Sequence, residues 1–307
     1  MAVGLSCAIA AHTLWGLFPI YWRQLSHVDS LELVWHRIWW SFVLLLLGVP
    51  WMLLRSEPAT KQAFLAAITS GRVWALYTAA AVLIAINWFA FIWAVNHDRV
   101  LEASLGYYIN PLFNVMLGVF VLGERLRRPQ WLAVGIAAVG VTIMSVASGG
   151  LPWVSLAMAS AFAGYALVKK KTPLPPLQGL WFELTILAIP AAWVIGSRML
   201  EGSSALNHSS LQTKVLLIAG GVVTVAPLTL FAAAVQRVDL STIGILQYIG
   251  PTLQFLVGAF LFGEPLYAGR LIGFGFVWIG LVVFVAGPLK RARQKRQQRI
   301  RDPLRKK

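Results

Sequence analysis

Stretches of about 20 mostly apolar residues recur from one end of this chain almost to the other. They fall at roughly 3–22, 34–54, 73–95, 101–122, 130–147, 152–168, 177–197, 215–235, 241–262 and 267–287. Each is about the length a helix needs to cross the hydrocarbon core of a bilayer. A backbone in lipid must satisfy its polar groups internally, which leaves helices and closed barrels, and apolar runs of this length select helices. Turn and charge signals separate the runs, among them Arg55–Pro58, Glu124–Pro129, Gly149–Pro152 and Lys169–Pro176. Composition agrees, since only 12% of the residues are charged and mean hydropathy is +0.72. A soluble domain carries about 25% charged residues. The reading is an all-α integral membrane protein with ten transmembrane helices.

Charge placement orients those helices. Ten of the 26 Lys and Arg residues lie between Lys290 and Lys307. With that tail inside and an even number of spans, the N-terminus is also inside. The inside segments then hold 20 basic residues and the outside loops 5, with Arg37 left within a span. That asymmetry follows the positive-inside rule. A net charge of +15 can attract phosphate backbones, but the basic run directly follows an apolar helix. It is read as a cytoplasmic segment held by anionic lipid headgroups rather than as a nucleic-acid site. The N-terminus carries no Lys or Arg before Arg23, so its apolar stretch is read as the first span and not as a cleaved signal.

The chain also matches itself at an offset of 140 residues. Segment 91–144 aligns without gaps to 231–284, with 13 identical positions out of 54. The matches include Tyr108-Ile109 with Tyr248-Ile249, Pro111 with Pro251, Gly118 with Gly258, and Gly123-Glu124 with Gly263-Glu264. Each copy contains five spans, and an odd number inverts the second copy in the membrane. The expected domains are a first repeat over 1–150, an inverted second repeat over 151–287, and a basic cytoplasmic tail over 288–307. Inverted repeats recur in secondary transporters, where the solute site lies near the midplane at the repeat interface.

Pro111 and Pro251 fall inside spans four and nine, where a proline removes a backbone donor and crowds the preceding turn. They are read as kinks or hinges, and a static kink fits the same residues. The glycines at 118, 123, 135, 140, 258, 263, 273, 275 and 280 are read as points of close helix approach.

Several runs together resemble one transporter group. They are His36-Arg37 with Trp40-Ser41, Asn87-Trp88 leading to FIWAVN (91–96), LEASLGYYINPL (101–112), LGER (122–125), QWLAV (130–134) and QYIGPT (247–252). They are similar to the RarD branch, associated with chloramphenicol sensitivity, of the EamA family in the drug/metabolite transporter superfamily. The resemblance extends from Trp15-Gly16 to Trp278. It implies a ten-helix inner-membrane transporter with two inverted five-helix halves around a central cavity. It also implies cargo such as amino acids, nucleotide-linked sugars or drugs, moved by export or exchange. The basic tail beyond Leu289 departs from the family's usual short end.

Within the spans, charged and polar groups are the candidates for chemistry, because they are costly in lipid and usually face a cavity or a partner. Arg37 and Glu102 lie at similar depth near the outer surface. They are expected to form an ion pair or a site for a zwitterionic solute, with snorkelling of Arg37 to the interface as the other reading. Trp15, Trp88, Tyr108 and Tyr248 can stack on a planar or cationic solute, although tryptophans also collect at membrane interfaces. Asn87, Asn110 and Gln247 are candidate hydrogen-bonding groups along the pathway. His36 is a candidate proton carrier. Glu183 lies near the inner end and is expected to answer to the Lys169–Lys171 segment. Cys7 is the only cysteine, which excludes a disulfide within the chain and a cysteine-based metal site. No zinc-protease, nucleophile-elbow or phosphate-loop pattern is present, so neither an enzyme, a cofactor nor direct use of ATP is expected. A small organic solute is the expected partner. A receptor or scaffold without solute flux is the alternative.

Overall fold

The computed structural model describes residues 2–97, 100–147, 153–263, 269 and 271–284, without the side chains of residues 95, 96, 100–104 and 147. The basic tail and Glu264 therefore lie outside the described residues. Each of the ten apolar windows contains a helix. In chain order these are α1 (Ala2–Trp22), α2 (Ser30–Leu54), α4 (Gly71–Asn96), α5 (Val100–Phe120), α6 (Arg128–Ala147), α7 (Trp153–Lys171), α8 (Pro176–Leu200), α10 (Leu211–Val235), the pair α11 (Leu240–Leu246) and α12 (Ile249–Leu256), and α13 (Leu271–Phe284). Two short helices lie between windows, α3 (Pro58–Ile68) and α9 (Ala205–His208). Among the described residues seven helical stretches are long and apolar enough to cross a membrane. The apolar parts of α5 and α13 are shorter, and α7 ends in three lysines.

Local chemistry sets the helix starts. The Asp29 carboxylate accepts from Glu32 N at 3.0 Å and caps α2. Ser210 does the same for α10 through Thr213 N at 3.2 Å. Pro58 and Pro176 stand in the first turns of α3 and α8, where a missing N–H costs no hydrogen bond. Gly123 and Gly263, matched in the repeat, take nearly equal left-handed backbone angles, φ 69° and 67°. No atom comes within 4 Å of a β-carbon placed on either. Both are therefore required by backbone conformation rather than by close packing. Gly135 and Gly275 also face open space. Gly118, Gly140, Gly273 and Gly280 do sit against a neighbouring element, as expected.

The outward surface is apolar and the interior holds polar groups, the arrangement a lipid solvent demands. Leu200, Trp193 and Phe120 are 92%, 78% and 75% exposed. His12, Glu32, Asn110, Lys169 and Glu183 are buried. Helices of the first half pack mainly on helices of the second: α1 on α10 and α12, α2 on α8 and α10, α4 on α7 and α8, and α5 on α7 and α11. Gly221 lets α10 approach α2 closely. A β-carbon there would lie 2.6 Å from the Trp40 carbonyl carbon, and Ser41 Oγ donates to Gly221 O at 3.2 Å. Gly244 plays the same part where α11 crosses α5, against the Pro111 carbonyl.

The matched prolines behave differently. α5 runs unbroken through Pro111, so no break appears at that expected hinge. In the second copy the helix is interrupted at Gln247–Tyr248, just before Pro251. There Tyr248 N bonds to Ile245 O and Gly250 N to Gln247 O, both at 3.2 Å. Those shorter loops give the Gln247 carbonyl, four residues before the proline, a new donor. Gly250 stands where the first copy has Asn110, and a β-carbon there would lie 3.5 Å from the His12 carbonyl oxygen of α1.

Candidate functional site: a cavity between the two halves

A cavity of about 550 Å³ opens where these helices meet. α1 contributes His12, Trp15 and Trp22, α2 contributes Arg37, and α4 contributes Asn87 and Trp88. Tyr107 and Asn110 of α5, Phe162 of α7 and Thr224 of α10 close the sides. Gln247 at the interrupted helix, with Gly250, Pro251 and Gln254 of α12, completes the wall. The cavity reaches Ser26, Val28 and Ser30 in the α1–α2 turn, at one end of the bundle.

Arg37 is the only Asp, Glu, Lys or Arg residue lining it among the described residues. Its Nε donates to Thr224 Oγ1 at 3.2 Å. Its guanidinium lies 4.9 Å from the Trp22 ring and 5.2 Å from the Trp88 ring. Ring faces partly replace water around a cation, which favours the charge within the cavity wall. The amides are braced by neighbours. Asn87 Nδ2 donates to Met158 O at 2.9 Å, and Gln254 Nε2 to Trp15 O at 3.0 Å. Asn114 Nδ2 donates to Gln247 Oε1 at 2.6 Å. Two buried polar atoms of lining residues have no hydrogen-bond partner, His12 Nε2 and Asn110 Oδ1.

Below the cavity the bundle is closed in two layers. Trp15, Phe162 and Phe231 pack with ring centroids 5.1–5.8 Å apart. The Tyr165 ring stacks parallel to Phe231 at 6.3 Å. One helical turn further on the same face of α7, Lys169 Nζ meets Glu183 Oε1 at 2.5 Å, and Tyr165 OH donates to Glu183 Oε2 at 3.0 Å. Both charged side chains are about 1% exposed. Lys169 is thus the residue that answers Glu183, from inside α7 rather than from a loop. Lys170 Nζ donates to Val235 O and Val238 O, joining α7 to the end of α10.

At the opposite end Arg198 bridges Asp29 and Glu32, each at 3.2 Å. Glu32 Oε1 also accepts from Ser204 Oγ at 2.8 Å and Ala205 N at 2.7 Å. This cluster ties α2 to α8 and α9 beside the mouth of the cavity.

Seven of the residues singled out in the sequence share the cavity wall: Trp15, Arg37, Asn87, Trp88, Asn110, Gln247 and Pro251. Others lie elsewhere. Tyr108 is buried behind the wall, with its OH donating to Pro251 O at 3.3 Å and its ring against Phe274. Tyr248 is buried in the same cluster, and Pro111 faces Gly244. His36 points away from the cavity and contacts Glu32 Oε1 at 3.4 Å, since successive helix positions are turned by about 100°. The side chain of Glu102 lies outside the described residues. Trp22 and Thr224 line the cavity without any sequence signal that marks them, and Tyr107, inside the run LEASLGYYINPL, lines it without having been singled out. Among the described residues no group of three or more His, Cys, Asp or Glu side chains could hold a metal ion.

Comparison with known proteins agrees with this architecture. Residues 2–146 match the EamA-like transporter family. An uncharacterized transporter of Vibrio cholerae is 40% identical over 301 residues, covering 96% of each chain. Protein RarD of Escherichia coli strain K12 is 40% identical over 288 residues, covering 92% of this chain and 93% of the relative. A crystal structure with 20% sequence identity shares the fold at a TM-score of 0.66, over 92% of this chain and 97% of its own. An apolar helical bundle around a cavity walled by aromatic and amide side chains and one arginine, and relatives that match it along almost its whole length, lead to one assignment: the chain is a multi-pass membrane protein of the EamA-like transporter family, in its RarD group.

Proposed function

We propose that this transporter is a secondary carrier that moves a small organic solute, a drug, amino acid or related metabolite, across the inner membrane by alternating access. The observation that carries the reading is the cavity, which draws its wall from both halves and reaches one end of the bundle while two layers close it from the other. In this reading ten spans form two inverted five-helix repeats, 1–150 and 151–287. The packing supports it, because exchanging the halves maps one set of contacts onto the other. The contact of α5 with α7 corresponds to α12 with α1, and that of α4 with α7 to α10 with α1. The equal backbone angles of Gly123 and Gly263 support the same register.

Two similar halves in opposite orientations can form two states of similar energy, one open to each side. Arg55, Arg72, Arg125, Arg127, Arg128, Lys171 and Arg237 gather at the closed end, and the positive-inside rule makes that end cytoplasmic. Both termini are then cytoplasmic, the basic tail lies on anionic lipid, and the cavity described here is the outward-reaching state. Net movement is export or exchange.

Cysteine accessibility tests the two-state reading. In a Cys7→Ser background, Ser26→Cys reports the mouth and Ala166→Cys the far side of the aromatic layer. A carrier lets a membrane-impermeant maleimide reach Ser26→Cys from outside and, more slowly, Ala166→Cys from the cytoplasmic side. A receptor or scaffold without flux leaves Ala166→Cys unlabelled from both sides.

A further inference from the structure

Resting on the carrier reading, we propose that the cavity takes its solute as an organic monoanion, a carboxylate with a flat apolar body, anchored on Arg37. Arg37 brings one positive charge into a wall that holds no carboxylate among its described lining residues. With Nε committed to Thr224 Oγ1, the two terminal nitrogens have no protein acceptor among the described residues. Two parallel N–H groups from one guanidinium match the two oxygens of a carboxylate. A charge inside a span is expensive when it stands alone, and a bound carboxylate neutralises it.

The charge count selects among solutes. A monoanion leaves the occupied cavity neutral. A dianion such as a phosphate monoester leaves one uncompensated negative charge, with no second Lys or Arg among the described lining residues to meet it. A cation is repelled by Arg37 and finds no acid among the described lining residues. The ring faces of Trp22 and Trp88, which would otherwise attract it, already hold the Arg37 guanidinium. A zwitterion meets the same obstacle at its ammonium end.

The rest of the wall describes the body of the solute. Trp15, Phe91 and Phe162 offer flat apolar surface. Asn110 and His12 are 3% and 1% exposed, and Asn110 Oδ1 and His12 Nε2 have no partner in the protein. Buried polar atoms are rarely left unsatisfied, and a solute hydroxyl satisfies either one once its side chain turns toward the cavity.

Four compounds of similar shape separate the charge types: 4-hydroxyphenylacetate, 4-hydroxyphenylacetamide, tyramine and tyrosine. Calorimetric titration of the full-length protein in detergent should show the acetate binding at least about tenfold more tightly than the other three. Arg37→Gln should remove that preference, and Arg37→Lys, which keeps charge but loses the fork, should retain part of it. Equal or tighter binding of the acetamide, tyramine or tyrosine overturns the proposal. So does unchanged acetate affinity in Arg37→Gln that elutes as a single folded species, or no acetate binding at millimolar concentration. If Arg37→Gln does not fold, the acetate-to-acetamide ratio on the unmodified chain decides alone. Flux of the labelled compounds in proteoliposomes separates this proposal from the carrier reading. Arg37-dependent acetate binding without any flux sinks the carrier and leaves the anion site. Saturable flux of tyrosine or tyramine that ignores Arg37 keeps the carrier and sinks the anion site.

Discussion

Asn114 of α5 donates a 2.6 Å hydrogen bond to Gln247 Oε1, at the point where the helix of the second half is interrupted before Pro251. Both side chains are buried. The bond ties the unbroken copy of the proline helix to the broken one and sits at the edge of the cavity. It is therefore placed to hold the crossing of α5 and α11 while other contacts rearrange.

Replacing either partner should leave the other unsatisfied. Asn114→Leu or Gln247→Leu is expected to cost about 1–3 kcal/mol, and the paired substitution less than the sum of the two. A double-mutant cycle on the unfolding of the detergent-solubilised protein checks this. Strict additivity would mean that the bond contributes nothing to the crossing.

The Lys169–Glu183 pair makes a sharper prediction, because removing one member of a buried pair strands a charge. Glu183→Gln should destabilise the protein by about 3–5 kcal/mol, whereas Lys169→Met combined with Glu183→Leu should recover most of that loss. Expression level and thermal unfolding of the two variants, beside the parent chain, supply the measurement. A single variant as stable as the parent chain would show that the pair does not close the bundle.

Glycine substitutions separate two kinds of small residue. Gly221→Ala pushes a β-carbon to 2.6 Å from the Trp40 carbonyl carbon and should cost about 1–3 kcal/mol by forcing α10 away from α2. Gly275→Ala meets nothing within 4 Å and should be neutral or slightly stabilising, since alanine favours helix over glycine by about 1 kcal/mol. Thermal unfolding of the two variants, measured side by side, tests whether the described crossing of α2 and α10 is the real one.

These cases also show what a sequence can convey. Every apolar window holds a helix, because length and apolarity are local properties written into consecutive residues. α3 and α9 escape notice for the same reason, being too short and too polar to register. The sequence match of Gly123 with Gly263 reflects a shared need for left-handed backbone, φ 69° and 67°. Gly135 and Gly275 have no such requirement, so their match misleads about close packing. Pro111 and Pro251 are identical in the pattern yet only one interrupts its helix. The interruption comes with the shorter hydrogen-bonded loops at Tyr248 and Gly250, which the shared proline alone does not specify.

The site was legible in part. Arg37, Asn87, Trp88 and Asn110 stand out as polar or aromatic groups within apolar runs, and they share one cavity. The Trp22 and Thr224 contacts of Arg37 join residues up to 187 positions apart, and no local pattern encodes them. His36 is adjacent to Arg37 in sequence but belongs to the Glu32 cluster, because one helical step turns it to another face. The pairing of Glu183 with Lys169 was foreshadowed by charge, although its burial inside the bundle was not.

Solute flux tests the central claim most directly. Purified protein in proteoliposomes should be offered labelled organic acids, amino acids and chloramphenicol, with and without an imposed proton gradient and with unlabelled compound inside. The account predicts saturable uptake of at least one compound, accelerated by the same compound on the far side of the membrane. Flux that is linear in concentration and indifferent to the far side, or no flux of any compound through protein shown to be folded, would contradict it.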